Sequence, residues 1–195
     1  MDKNARELST ILKLNKIFKL GYLPSRGDES YEEEHLHSGA RLSVFANCFE
    51  HACFNLKNSH LQGFTVEDAD SFGHKIDYLG QPKEEIAKNL LDFLKASGLQ
   101  IKRVFRNFTT KTNQWLVALY FGTSLKDNQN QDFHFMRKES NDLWSHKMGH
   151  TDEIEYLNKP PLHFISNSFY KYKLYGYFII TNPYVEIMEE KETSL

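Results

Sequence analysis

The sequence predicts an α+β protein with N-terminal helices packed on a C-terminal antiparallel β-sheet, and three observations carry the prediction. Up to about residue 98, apolar residues recur at the period of a helix with one buried face. From residue 99 the pattern changes to short runs rich in β-branched and aromatic residues, divided by polar turns. Helices followed by strands with short connections, rather than alternating with them, is the order of an α+β layout. A length of 195 residues suits one domain with its own core. The expected organisation is therefore a single domain over 1–195. An N-terminal helix and acidic loop occupy 1–38, a helical half 39–98, a sheet 99–182 and a flexible tail 183–195.

Element by element, Leu8, Ile11, Leu12, Asn15, Ile17 and Phe18 place a first helix near residues 5–20, stopped by Gly21 with Pro24 close behind. PSRGDESYEEEHLHSG reads as a solvated acidic loop. In ANCFEHACFNLKNSHL the stripe Phe45, Phe49, Ala52, Cys53 and Leu56 has the spacing of a buried helical face. TVEDADSFGHKIDYL predicts another short helix with Thr65 as its cap. QPKEEIAKNLLDFLKASG is the clearest helix. Pro82 sits in its first turn, Glu84 and Glu85 complement its dipole, Ile86, Leu90, Leu91 and Leu94 form its core face, and Gly98 ends it. Four or five strands follow, from QIKRVFRNF, NQWLVALYFG, DFHFMRKE, LWSHKM and KLYGYFIITN.

Composition narrows the function. A formal net charge of −2 carries no global bias toward nucleic acid, and Lys102, Arg103 and Arg106 read as a solvated strand face. No Gly-rich loop followed by Lys and Ser or Thr is present to cradle a phosphate. No apolar run approaches the ~18 residues needed to cross a bilayer. The first residues alternate charge with apolar side chains, unlike a signal peptide. A cytoplasmic protein is expected, or one delivered by a non-classical secretion route.

The chemistry-bearing residues are a thiol and a hairpin. Cys48 and Cys53 lie five apart, which on one helix points them in different directions and disfavours a disulfide. With Phe49 at the centre of the buried stripe, Cys53 falls about 40° away and Cys48 about 100° away, at the edge. Cys53 is then a small core hydrophobe, and Cys48 sits in the first turn, where the helix dipole favours a thiolate. Asn47 precedes it as a cap or an oxyanion donor.

DFHFMRKESNDLWSHKMG carries His134 and His146 on what reads as one hairpin. Alternation puts His134 on a face with Asp132 and Met136, away from Phe133 and Phe135. A loop centred near Ser140 would oppose the two rings directly, while a tighter turn at Asn141–Asp142 would set them diagonally. Either way one imidazole can orient the other, as base and orienter do beside a nucleophile.

A cysteine opening a helix, then antiparallel strands carrying a histidine and a second polar residue about a dozen positions later, resembles the papain-like fold. The likeness is to its NlpC/P60 and CHAP branch. DFHFMRKESNDLWSHKMG, with WLVALYFG before it and GYFIITNP after it, is also similar to a DYHFYR…WSHKPG pattern in bacterial and viral proteins of this kind. The resemblance spans roughly residues 40–182. It implies a cysteine peptidase or amidase acting on a protein or peptide substrate, without a cofactor, and a bacterial effector role. Cys48 would form a thioester, His134 would move the proton and His146 would orient it, with Asp142 or Asp132 as the other third-residue candidates. The chain departs from the branch in having Asn-Cys-Phe rather than Asp-Cys-Ser, and in lacking a secretion signal.

Two other readings stand beside it. An aromatic sheet can serve as an inert papain-like binding module. Thiolate and imidazole also suit zinc, with Cys48, His134, His146 and His150 as the ligands, although no CxxC or HExxH spacing supports it.

Overall fold

In the computed structural model the described residues are 3–21, 48–54, 81–128, 130–148, 154–166 and 169–185. Among the described residues three helices lie in the first half: α1 (Lys3–Lys19), α2 (Cys48–Phe54) and α3 (Lys83–Ala96). Seven strands follow: β1 (Gln100–Val104), β2 (Gln114–Ser124), β3 (Asn130–Lys138), β4 (Trp144–Lys147), β5 (Ile154–Leu157), β6 (His163–Ser166) and β7 (Tyr170–Thr181). The α+β layout with a large antiparallel sheet is therefore present. The acidic loop, the short helix capped by Thr65, Asn47, His150 and residues 186–195 of the expected tail lie outside the described residues, while 183–185 form a helical turn with Tyr184 packed against the core.

The helix ends follow local chemistry. Gly21 and Gly98 take φ of 83° and 93° just past α1 and α3, a left-handed conformation that costs glycine little. Pro82 precedes α3, with Glu84 and Glu85 in its first turn and Lys95 in its last. Ile86, Ala87, Leu90 and Leu94 form its buried face.

The strand order is β1-β7-β2-β3-β4-β5, with β6 pairing β7 off that path. Strands β5 and β6 are the two that the hydrophobic pattern does not announce. Each is four residues long and largely exposed, and Pro160 and Pro161 lie between them. They form because β4 and β7 offer open edges to pair with.

Strand β2 runs through the centre and is buried on both faces, which explains the unbroken WLVALYF. On one face Trp115, Val117, Leu119 and Phe121 join Phe133 and Phe135 of β3 against the three helices. On the other, Leu116, Ala118 and Tyr120 meet Met136, Trp144 and Tyr172 in a second, aromatic core. A register shift between Leu119 and Tyr120 leaves Tyr175 unpaired in β7. That bulge changes the parity of the strand, so Phe178 and Ile180 face the helices while Tyr172 faces the second core. The guanidinium of Arg103 holds it, donating to the Tyr175 carbonyl at 2.8 Å and lying 5.0 Å from that ring's centre.

Candidate functional site

The β3–β4 hairpin closes over a three-residue loop. Arg137 pairs Ser145, Lys138 pairs Trp144, and the Glu139 N–H donates to the Leu143 carbonyl at 2.8 Å. Asp142 takes φ 67°, the left-handed residue that such a loop places after its turn. Centring the turn on Asn141 makes His134 and His146 diagonal neighbours, through a loop that is neither the one centred on Ser140 nor the two-residue turn at Asn141–Asp142. Their rings meet edge-on with centroids 5.1 Å apart, and His134 Nε2 lies 3.1 Å from His146 Nδ1.

Glu155 determines which ring carries which proton. It stands directly across from His146 in the β4–β5 pairing, with Oε2 3.5 Å from His146 Nε2. A carboxylate only accepts, which favours the His146 proton on Nε2 and Nδ1 as an acceptor. His134 must then donate from Nε2, which leaves its own Nδ1 as the nitrogen with a free lone pair. Burial lowers both imidazoles below their usual value; His146 adds to the effect on His134, and Glu155 opposes it at His146. At neutral pH the pair is uncharged. Tyr120, Phe164 and Tyr172 surround His134, and Phe164 also covers His146. Beside them the Tyr172 hydroxyl donates to Asp132, whose carboxyl is pushed up by burial against the hydrogen bonds from Tyr172 and the Phe133 N–H.

Cys48 is the first residue of α2, against the opposite face of the sheet. Alternation along β3 turns Phe133 and Phe135 toward α2 and His134 away from it. The Cys48 thiol approaches the Phe133 carbonyl at 3.8 Å, and the sheet stands between it and the histidine pair. The structure thus brings His134 and His146 together and does not bring Cys48 to them. Cys53 is fully buried in the helix-side core, and burial, with Cys48 beside it, pushes its thiol up. Asp142 projects from the turn onto Lys138 at 2.8 Å, which lowers its carboxyl; Asp132 shares the His134 face but bonds Tyr172. Among the described residues no group of three or more His, Cys, Asp or Glu could hold a metal ion.

Sequence reasoning missed a second buried polar cluster, under α2. Arg137 grips both carboxylate oxygens of Glu139, at 2.9 and 3.1 Å, and the Ser145 hydroxyl donates to the same carboxylate. Because Ser145 has spent its one proton, the ring N–H of His51 is the donor in the 3.0 Å bond to Ser145 Oγ. Arg137 also reaches the His51 carbonyl at 3.4 Å. Burial first, then Arg137 and Lys147, holds His51 well below the usual imidazole value. The one available signal was a histidine three positions after Cys48, about 160° from Phe49 and so on the helix face away from the apolar stripe.

A cavity of about 500 Å³ opens where β2 begins and β3 ends, with Phe108, Lys111, Trp115, Arg137 and Glu139 in its wall and neither histidine of the pair. No protein-family model, curated protein or solved structure matches the chain.

Proposed function

We propose that this protein is a hydrolase in which His134 is the general base, oriented by His146 and, through it, by Glu155. The observation that carries the reading is the His134–His146 contact of 3.1 Å, continued at 3.5 Å to Glu155. A neutral imidazole with its tautomer held by a second group is the base–orienter half of a hydrolytic site. His134 Nδ1 takes a proton from water as the water oxygen attacks the carbonyl carbon of an amide or ester. It then returns that proton to the leaving nitrogen or oxygen. Phe164 lies over both rings on β6, a four-residue strand paired only with β7 among the described strands, so movement of that strand admits substrate.

Release of product from activated esters and small amides tests this. His134→Ala is expected to lower the rate about 100-fold or more, the usual contribution of a general base. His146→Ala should cost less, because it removes only orientation. Cys48→Ala should leave the rate unchanged. The rate should fall in acid as His134 takes up a proton, with a midpoint below 6.5, since burial lowers its pKa. Equal rates for wild type and His134→Ala would defeat the assignment.

A second reading keeps the papain-like cysteine peptidase or amidase, with Cys48 as nucleophile. It is favoured by the position of Cys48 at the start of α2 and by its 7% exposure against 0% for Cys53. The imidazole on the same helix and the same side of the sheet is that of His51. Iodoacetamide labelling tests this version: Cys48 should be alkylated below pH 7 while Cys53 stays unmodified. A Cys48 profile that rises only above about pH 8 marks an ordinary thiol.

A further inference from the structure

One corner of the sheet, away from both histidine sites, exposes large apolar side chains in a group. Leu125, Leu162, Ile165 and Phe169 are 52%, 67%, 64% and 69% exposed. They belong to adjoining backbone. The Leu125 N–H donates to the Phe169 carbonyl at 2.9 Å, Leu174 donates to the Leu162 carbonyl at 3.0 Å, and Ile165 faces Lys171 across the β6–β7 pair. Singly exposed leucines are ordinary, but Leu125, Ile165 and Phe169 share the face of the ribbon that carries Lys171 and Lys173 and form a patch, with Leu162, across from Leu174, on the other face.

Cations accompany the patch. Lys126 follows Leu125, while Lys171 and Lys173 stand opposite Ile165 and His163 on β7. None of these three lysines has an ion-pair partner among the described residues; Asp127 is the acidic residue next to them in the chain. Apolar side chains with unpaired lysines among them suit an interface between hydrocarbon and anionic headgroups. A protein partner of matching shape would have to bring its own acids; an anionic bilayer supplies both halves of the complement.

We infer that this corner docks the protein on an anionic lipid surface, with Leu125, Ile165 and Phe169 entering the headgroup boundary and Lys126, Lys171 and Lys173 facing lipid phosphates and carboxylates. This is peripheral binding, separate from spanning: no described helix is long and apolar enough to cross a membrane. It uses neither histidine of the hydrolase reading, although Ile165 shares β6 with the Phe164 that covers them.

Co-sedimentation of the full chain with vesicles tests it. Binding is expected to vesicles of phosphatidylcholine mixed with phosphatidylserine, and not to phosphatidylcholine alone. Each lysine near such a surface is worth about fivefold in affinity, so K171E/K173E should weaken binding at least about twentyfold. High salt should release the protein, because the lysine attraction is screened. Ile165→Ser with Phe169→Ser should also weaken binding, whereas Lys88→Glu on the exposed side of α3 should not. All these positions are exposed, so unchanged thermal unfolding separates lost docking from lost fold. Equal binding to both vesicle types would overturn the proposal. So would absent vesicle binding together with a dimer in light scattering that the Ile165 and Phe169 changes dissolve, which would assign the corner to a second copy of the chain.

Discussion

Lowering the pH from 7 to 5 is expected to lower the stability of the fold progressively. His51 and His134 are both buried, and burial holds each well below its unfolded value of 6.5. Below 6.5 the unfolded chain takes up a proton at each ring and the folded chain does not. Stability is therefore fully present above 6.5 and is lost as pH falls, by about 1.4 kcal/mol per unit for each ring until its folded pKa is reached. His146 acts in the same direction. Asp132 acts in the opposite one: its raised carboxyl favours folding as pH falls through its folded value toward 3.8. Urea midpoints at pH 7, 6 and 5 measure the effect. His51→Gln and His134→Gln should each remove one proton from the slope, and a midpoint constant over that range would refute the burial of both rings.

The other large effect concerns the ion pair under α2. Arg137 and Glu139 side chains are 3% and 1% exposed, and their contact is two-pronged at 2.9 and 3.1 Å. Arg137→Met takes the two-pronged guanidinium from a buried carboxylate, and should cost about 3–5 kcal/mol. Glu139→Leu should cost a similar amount, since it strands Arg137 near Lys147 and releases Ser145 from the bond that orients it toward His51. Replacing both together should be much milder than the sum, because no unpaired charge is left behind. Denaturant unfolding of the two single variants and the double gives the coupling directly. Additive losses would show that the two residues do not act as a pair.

Much of the architecture is legible in the residues. The stripe Ile86, Leu90 and Leu94 and the glycine at 98 mark α3, and the unbroken WLVALYF marks a strand covered on both faces. These signals are local, because burial repeats at a helical or strand period and a cap needs a particular side chain. The pairing of His134 with His146 was also within reach, since a short polar loop leaves two registers and both keep the rings adjacent.

Other features came only from packing. Strands β5 and β6 have too few buried residues to announce themselves, and they form because neighbouring edges are open. Alternation in β3 separates Phe133 and Phe135 from His134, but both faces of that strand are lined by aromatic residues. Periodicity therefore does not say which of them α2 covers. The helix takes the face of Phe133 and Phe135, where Phe49 packs edge-on or tilted against both rings, and that choice leaves Cys48 across the sheet from the histidines. The cluster of His51, Arg137, Glu139 and Ser145 joins residues more than eighty positions apart. No local period encodes such a contact, so only the folded chain could decide it.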